Sequence, residues 1–293
     1  MVWTLEKAAV WARDKLKEAQ IKTFRLDVDI LLSHVINRTR DFVFTYPEHI
    51  VSHQNMNLFK QLVLRRENRE PIHYILSYRE FWSLDFFVDR NVLIPRPETE
   101  HLVDRFLDLA RDLKSKQSSL DVLDIGVGSG NITISILKEL PWANVTAIDI
   151  SVDALKVAKR NAKHHNVLSR VNFCEGDLFP DKGLFPNQFD FILSNPPYIA
   201  AGLFKNLEPE ITHFEPKVAL ISGQSGLEVY ERLITGTLSR LKPGGFLILE
   251  IGDDQLELVK KLVEESGGFD DFFCACDYAG SPRTISARRK YNG

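Results

Sequence analysis

The sequence predicts an α/β protein in which a small all-α domain precedes a seven-stranded, doubly wound sheet domain. Before residue 78, apolar residues recur at helical spacing, and from residue 120 onward strand-like and helix-like segments alternate. The segment between these regions is aromatic and β-prone. We therefore divide the chain into a helical domain at residues 1–78, a β-hairpin linker at 79–95 and a sheet domain at 96–293.

The helical domain is predicted from three amphipathic segments. In the first segment the residues at helical spacing are Val2, Leu5, Ala9, Ala12 and Leu16. The second segment is "DVDILLSHVIN", and the third is "NMNLFKQLVLRREN", which ends before Pro71 because a residue that precedes proline disfavours the helix.

The aromatic segment "REFWSLDFFVD" then predicts the hairpin, with Ser83 near its turn.

The sheet domain begins with a helix that starts near Glu98 and passes Leu109, followed by a polar loop at 114–119. Four predicted helices, "NITISILKEL", "DALKVAKRNAKHH", "LEVYERLITGTLSRL" and "QLELVKKLVEES", alternate with the strands "LDVLDI", "NVTAIDI", "RVNFCEG", "FDFILS" and "GGFLILEI". Such alternation is typical of a mostly parallel, Rossmann-like sheet. The segments "DDFFCACD" and "PRTISARR" follow each other without a helix, so we expect an antiparallel pair at the sheet edge.

Composition is ordinary for a globular protein and excludes several classes of function. The 293 residues are 44% apolar and 26% charged, and the net charge of −3 gives no overall electrostatic signature for nucleic acid. Three cysteines and eight scattered histidines indicate neither a disulfide framework nor a metal site, and they fit the cytoplasm. We expect no membrane association, because no apolar run approaches the ~20 residues of a membrane span. The charged first helix does not resemble a signal peptide.

A glycine-rich turn follows the first strand of the sheet. Such a turn lets a ligand approach the backbone and directs free N–H groups at it. The dinucleotide pattern needs a glycine where Asn131 stands, so an NAD oxidoreductase is disfavoured. The GxGxG form is usual in methyltransferases that bind S-adenosylmethionine. The candidate cofactor-binding residues of this turn are Gly126, Val127, Gly128, Ser129 and Gly130.

The next two strand ends carry residues suited to the same ligand. Asp149 ends the second strand, about 20 residues after the glycine turn, where an acid can bind ribose hydroxyls. Asp177 and Leu178 follow the third strand and are candidate adenine contacts. A tight structural turn would explain the glycines alone, but three successive strand ends together favour one nucleoside site.

The fourth strand ends in "SNPPYIA", where two prolines stop the strand and stiffen the loop. A planar substrate –NH2 has two donors, which the Asn195 side-chain oxygen and the Pro196 carbonyl can accept. Tyr198 can cover the flat face of the substrate group, and Pro197 holds the loop. These four residues are the candidate substrate-binding residues, and Asn195, Pro196 and Tyr198 are also the candidate catalytic residues. Asn195 additionally adjoins the cofactor.

These motifs resemble the HemK/PrmC family of protein-(glutamine-N5) methyltransferases, and the resemblance covers nearly the whole chain. It includes "EPIHYIL", "NVLIPRPETEHLV", "LDIGVGSGNITISIL", "AIDIS", "GDLF", "FDFILSNPPYI", "EPKVALISGQSGLEVYERLI" and "GGFLILEIGDDQ". The resemblance implies methylation of the glutamine in the Gly-Gly-Gln motif of class I peptide chain release factors. It also implies S-adenosylmethionine as cofactor, glutamine recognition at residues 195–198 and a helical domain that helps to recognise the release factor. The protein is expected to be a monomer.

The sequence departs from the family pattern outside the expected catalytic core. Val127 stands where many relatives have threonine, and Ser222 or Gln224 falls where a second glycine is usual. The segment "AGSPRTISAR" replaces a more usual Gly-x-Asp-Arg pattern. These departures bear on packing at the sheet edge more than on chemistry.

Other interpretations remain open at this point. A nucleic-acid amino-methyltransferase would use the same kind of pocket, but it needs base flipping and a basic cleft. A methyltransferase for a small amine and a nucleoside-binding module without catalysis are further alternatives. In "LIPRPETE", the segment Arg96–Glu98 could be a simple helix start or could close over the cofactor.

Overall fold

The computed structural model describes residues 2–113, 119–179, 188–277 and 279–291. The loop expected at 114–119 falls outside the described residues except for Ser119. Two compact units are present. The first comprises Met1–Ser77 and Glu208–Phe214, and the second comprises Tyr78–Leu207 and Glu215–Gly293.

The first unit is helical, as predicted. Side chains of Thr4, Thr39 and Ser52 accept backbone N–H groups at the starts of three helices, which explains where those helices begin. Val2 precedes the first helix and is 60% exposed, so its predicted place on the buried helix face is wrong. The helices are α1 (Leu5–Glu18), α2 (Phe24–Ile36), α3 (Arg40–Thr45), α4 (His53–Glu67) and α5 (Ile72–Leu76).

The second unit contains the predicted hairpin and the seven-stranded sheet. The hairpin strands are β1 (Arg79–Phe81) and β2 (Leu84–Phe86). The strands of the large sheet are β3 (Leu120–Ile125), β4 (Ala143–Asp149), β5 (Val171–Glu175), β6 (Phe189–Ser194), β7 (Leu241–Glu250), β8 (Phe269–Cys276) and β9 (Pro282–Arg289). Its helices are α6 (Glu100–Leu113), α7 (Asn131–Glu139), α8 (Val152–His164), α10 (Glu228–Thr237) and α11 (Leu256–Glu265), whereas α9 (Pro209–Phe214) belongs to the first unit.

The hairpin packs into the core of the second unit. Trp82 and Ser83 form its turn with φ of +54° and +53°, the left-handed conformation that two-residue hairpin turns of type I′ require. Phe81 and Phe86 are buried in the same apolar cluster as Phe106 of α6. Aromatic burial therefore fixes the hairpin to the sheet.

The strand order of the large sheet is β5-β4-β3-β6-β7-β9-β8. The first five strands are parallel, and β8 and β9 form the predicted antiparallel pair at one edge. The chain adds β4 and β5 on one side of β3 and then β6 and β7 on the other, and ligands of doubly wound folds bind at this switch point between β3 and β6. The register aligns Ile125 with Ile148 and with Ser194, so the loops after β3, β4 and β6 start side by side.

Some predicted boundaries are wrong because local sequence signals were misleading. Strand β7 starts at Leu241 and includes Pro243, although glycine and proline suggested a start at Gly244. The pairing of β6 with β7 shifts register between Phe189 and Phe191, and this irregularity accommodates the extra residues. Helix α10 correspondingly stops at Thr237, four residues before the predicted end.

The short segment Glu208–Phe214 is held in the first unit by ion pairs. Glu210 accepts hydrogen bonds from Arg66 Nη2 at 2.9 Å and from Arg69 Nη2 at 2.6 Å. Arg66 also donates to Asp27 at 2.7 Å, and both side chains are almost fully buried. Removing one partner of such a pair leaves a buried charge, so these contacts specify where the segment docks.

The described residues lack a membrane-spanning helix and a metal-binding cluster. None of their helices is both long and apolar enough to cross a membrane. Within the same ranges, no three histidine, cysteine or acidic side chains converge as a metal site would require.

Candidate active site

A cavity of about 270 Å³ lies at the carboxyl ends of the central parallel strands. Its walls come from the loops after β3, β4, β5 and β6, from residues 91–99 and from residues 216–232. Most of the sequence-predicted site residues line it: Gly126, Val127, Gly128, Ser129, Asp149, Asp177, Leu178, Asn195 and Pro197. Gly130, Pro196 and Tyr198 are not among the lining residues.

The glycine turn needs its glycines for two different reasons. Gly126 and Gly128 have φ of +77° and +53°, a conformation that side chains rarely adopt. Gly130 has φ of +84°, and a Cβ there would lie 3.1 Å from Ile134 and 3.4 Å from Ala158. Gly130 therefore allows α7 to pack closely at the start of the helix, whereas Gly126 and Gly128 shape the cavity wall.

Asp149 presents a partly satisfied carboxylate to the cavity. Its Oδ2 accepts the Gly128 N–H and its Oδ1 accepts the Ser151 N–H, both at 2.9 Å. A carboxylate has about four lone-pair sites, so each oxygen can still accept a ligand hydroxyl. Burial raises the pKa of Asp149, while the backbone N–H groups oppose this rise by favouring the anion.

The loop after β5 brings Asp177 and Leu178 to the cavity, where Asp177 forms an ion pair and Leu178 has an unusual backbone conformation. The Asp177 carboxylate accepts a hydrogen bond from Arg232 at 2.7 Å, and both side chains are exposed. Leu178 has φ of +58°, which is unusual for a residue with a Cβ and indicates a backbone constrained by its surroundings.

Asp124 is a buried acid beneath the glycine turn that sequence reasoning missed. Thr133 donates to its Oδ2 at 2.5 Å, whereas its Oδ1 has no hydrogen-bond partner in the described part of the chain. Burial raises the pKa of Asp124 to about 7. An acid one residue before the end of a buried strand was a sequence signal for this residue.

The loop after β6 is fixed by its neighbours. Gln255 donates from Nε2 to the Tyr198 carbonyl at 3.0 Å, and Ile199 pairs with the segment around Ile221. Gly226 lies against the same carbonyl, because a Cβ there would be only 2.7 Å from the Tyr198 oxygen. The proline-rich loop is thus a rigid element of the cavity.

Tyr198 and Pro196, both predicted to bind the substrate, are not among the residues that line the cavity. Tyr198 packs against the apolar cluster of β7, α10 and α11, and burial raises the pKa of its phenol to about 12. Pro196 is buried. Asn195 and Pro197 are the members of this motif that line the cavity.

A chain of hydrogen bonds runs from Asn195 through Thr99, which also lines the cavity, to Glu250, which does not. Asn195 donates from Nδ2 to Thr99 Oγ1 at 3.1 Å, and Thr99 donates to Glu250 Oε2 at 2.6 Å. Thr99 and Glu250 are almost fully buried. Sequence reasoning did not single out either residue, although Glu250 is another acid at the end of an apolar strand.

The segment "LIPRPETE" forms one wall of the cavity and also starts a helix. Pro97–Thr99 is a 3₁₀ turn that continues into α6. Arg96 donates to Glu215 Oε1 at 2.6 Å, and the Ile94 N–H donates to Glu215 Oε2 at 3.2 Å. Both interpretations of this segment therefore remain compatible with its position.

Comparison with known families identifies two regions of the chain. Residues 7–76 match the family described as PrmC N-terminal domain, and residues 107–212 match the family described as methyltransferase small domain. A release factor glutamine methyltransferase of Rhodopirellula baltica is 39% identical over 288 residues, which cover 98% of this chain and 97% of the relative. One from Geobacter sulfurreducens is 37% identical, with 98% and 97% coverage.

Solved structures share the fold at low sequence identity. The hMettl16 catalytic domain superimposes with a TM-score of 0.57 at 15% identity, covering 89% of this chain and 91% of that one. At such identity the likeness concerns the fold alone.

Proposed function

This chain belongs to the release factor glutamine methyltransferase family, and from that premise we propose how its cavity acts. The protein is an S-adenosylmethionine-dependent methyltransferase. It transfers a methyl group to the N5 atom of the glutamine in the Gly-Gly-Gln motif of class I peptide chain release factors. The observation that carries this proposal is Asn195, whose side-chain amide lines the cavity while its Nδ2 is already bonded to Thr99. Within the described ranges no group donates to the side-chain oxygen, which can therefore accept a substrate N–H.

The residues around the glycine turn suit S-adenosylmethionine. The Asp149 carboxylate keeps lone pairs for ribose hydroxyls, and the positive φ of Gly126 and Gly128 leaves the backbone open to a ligand. We assign this part of the cavity to the cofactor, with Leu178 beside the base and Asn195 beside the reacting end. When bound, the cofactor supplies an electrophilic methyl group.

The protein's contribution to the reaction is to hold the glutamine amide. We propose that Asn195 Oδ1 accepts one N–H and that the backbone carbonyl of Pro196, the next residue of the loop, accepts the other, although Pro196 itself is buried and does not line the cavity. Two fixed acceptors favour the positive charge that grows on nitrogen in the transition state. Rigid placement at ~3–3.5 Å from the reacting atom supplies much of the rate. The hydrogen bond from Gln255 to the Tyr198 carbonyl supports that rigidity, and so does the packing of Tyr198 against the apolar cluster of β7, α10 and α11.

A methylation assay tests this proposal directly. The purified chain is incubated with isotope-labelled S-adenosylmethionine and a whole class I release factor, and the labelled peptide is mapped by mass spectrometry. We expect one methyl group on the glutamine of the Gly-Gly-Gln peptide. A factor in which that glutamine is replaced by glutamate is the control and should stay unlabelled. Labelling of the control, or of another residue, would contradict the proposal.

We also assign a recognition role to the helical unit. None of its described residues lines the cavity, yet it exposes large apolar side chains at Phe44, Tyr46 and Ile50. Such side chains suit contact with the body of the release factor. A second contact raises the local concentration of the glutamine at the cavity, as for any bivalent ligand.

Point variants test this role better than deletion, because deleting residues 1–70 would remove the ion-pair partners of Glu210. The double variant Phe44→Ser and Ile50→Ser should lower kcat/KM for the whole factor and leave the rate on a short Gly-Gly-Gln peptide unchanged. Leu168→Ser, an exposed leucine of the second unit, is the matched control. Equal kcat/KM for the double variant and the wild type would remove the helical unit from recognition.

We further propose that the protein acts as a cytoplasmic monomer without direct contact to nucleic acid. The net charge of −3 and the unpaired cysteines support this assignment. Light scattering of the purified chain tests the monomer, and a dimer mass would contradict it. Added RNA should not slow methylation of the factor.

A further inference from the structure

Glu250 is a buried acid next to the candidate active site that the proposed reaction does not itself use. It ends β7, is 3% exposed and does not line the cavity. Its Oε2 accepts the Thr99 hydroxyl at 2.6 Å, and Thr99 in turn accepts the Asn195 amide at 3.1 Å. Burying a carboxyl group is costly, so its connection to the one side-chain amide assigned to the substrate calls for an explanation.

The direction of these hydrogen bonds follows from their chemistry. An ionised carboxylate only accepts, so the single Thr99 proton is directed to Glu250. The Thr99 oxygen then has only lone pairs left, and it can bind the Nδ2 group of Asn195 but not the Oδ1 atom. Asn195 therefore turns its oxygen away from Thr99, where it can accept an N–H from a substrate.

We propose that Glu250, acting through Thr99, is a positioning residue that fixes the orientation of the Asn195 amide and that protonation of Glu250 releases it. This inference rests on the proposed function, in which Asn195 Oδ1 accepts the glutamine amide. A protonated Glu250 can donate to Thr99, which can then donate to Asn195 Oδ1. The amide reverses and presents two donors to a substrate –NH2 that also has two donors.

The surroundings of Glu250 put this switch in an accessible pH range. Burial raises its pKa to about 7, against the hydrogen bond from Thr99, which lowers it. Tyr198 and Tyr230 remain neutral neighbours at this pH, because burial raises the pKa of both phenols. The charged groups that face Glu250 are Glu98, which raises its pKa further, and Arg283 and Arg96, which lower it.

Threonine variants test the chain without altering the acid. Thr99→Val keeps the volume of the side chain but removes the hydroxyl, and Thr99→Ser keeps the hydroxyl. We expect Thr99→Val to lower the single-turnover rate on the release factor about tenfold, because a buried partner is left unsatisfied. Thr99→Ser should keep most of the rate, and binding of S-adenosylmethionine should change little in either variant. Thr237→Val, at a buried threonine whose hydroxyl has no partner among the described residues, controls for the substitution itself.

Glu250→Gln tests the switch by pH. The wild-type single-turnover rate should rise with pH through a step near 7, since the ionised form holds the amide correctly. Glu250→Gln should be slow and lack this step. The side-chain amide resonances of Asn195, assigned by their loss in Asn195→Ala, should move with the same midpoint in the wild type and stay constant in Glu250→Gln. This spectroscopic readout requires no turnover.

The outcomes separate this inference from the proposed function. A wild-type chain that does not methylate the factor contradicts the function, while the resonance titration still judges the positioning role. Equal rates for Thr99→Val and Thr99→Ser, or an Asn195 titration that survives in Glu250→Gln, would overturn the inference. If Glu250→Gln does not fold, the threonine pair decides the matter.

Discussion

Two side chains of the cavity are oriented in different ways. The carboxylate at the end of β4 is hydrogen-bonded to backbone N–H groups, whereas the amide that follows β6 is hydrogen-bonded to another side chain. Asp149 is bonded to the N–H groups of Gly128 and Ser151, which lie 21 and 2 residues away in sequence. Asn195 is hydrogen-bonded to Thr99, which is 96 residues away in sequence. Thr99 is hydrogen-bonded to Glu250, which is 151 residues away from it in sequence. The two halves adjoin through the register of β3 with β4 and β6.

The difference reflects what each half must recognise. A backbone cradle places donors and an acid around a ligand of fixed shape, and glycine suffices to build it. An amide must present its oxygen and not its nitrogen, and at Asn195 a directional chain of side-chain hydrogen bonds imposes that choice. The first half should therefore control cofactor affinity, and the second should control the rate of transfer.

The largest effect should come from the substrate half. Asn195→Ala removes one acceptor for the substrate amide, and a contact of this kind contributes about 2.7–4 kcal/mol to the transition state. We expect kcat to fall by about 10² to 10³, with a smaller change in cofactor affinity. Stopped-time assays on the whole release factor measure the rate. Asn172→Ala, an exposed asparagine of β5, is the control and should retain wild-type activity.

The cofactor half should show the complementary behaviour at a smaller magnitude. Asp149→Ala removes an ionised acceptor, whose hydrogen bonds contribute about 1.5–3 kcal/mol, so the Kd of S-adenosylmethionine should rise about 10- to 100-fold. Calorimetry measures this Kd. Asp153→Ala, two residues after Ser151 on the exposed face of α8, is the matched control. A Kd that Asp149→Ala leaves unchanged would remove this carboxylate from the cofactor site.

The smallest effect should come from the loop that supports the substrate half. Gly226→Ala adds a Cβ 2.7 Å from the Tyr198 carbonyl at a φ of +85°, whereas Gly267→Ala has a similar φ of +69° with open space around it. Both variants incur the left-handed strain of about 1–2 kcal/mol, but only the first displaces the proline-rich loop. We expect a lower melting temperature for both and a several-fold lower kcat for Gly226→Ala alone. Equal kcat in the two variants would show that the loop tolerates the shift.

The same contrast explains what could be predicted from the sequence. The strands and most helices carry periodic signals, and the glycine turn, Asp149 and "NPPY" each lie within a few consecutive residues. Helices α3 and α5 were missed because six and five residues are too few to show a helical period. Gly130 was predicted to bind the ligand, but it does not line the cavity and it packs against Ile134 and Ala158; spacing alone does not distinguish these two uses of a glycine.

The connection of Thr99 and Glu250 to Asn195 could not be predicted, because it depends on three-dimensional register. Glu250 adjoins the site only because β7 pairs with β6 so that Leu249 lies opposite Ser194. Thr99 reaches it only because a 3₁₀ turn ends there before α6. An acid at the end of a strand is a usable sequence signal for a buried site residue. Its hydrogen-bond partner, however, cannot be identified from the residues next to it in sequence.

The most direct test of the two-half account compares Asn195→Ala and Asp149→Ala side by side. The measurement is the single-turnover rate of methylation of whole release factor at saturating S-adenosylmethionine. The account predicts that Asp149→Ala recovers to within a few-fold of wild type, while Asn195→Ala stays about 10² or more below it. Equal rates for the two variants at saturation would contradict the division of the cavity into a cofactor half and a substrate half.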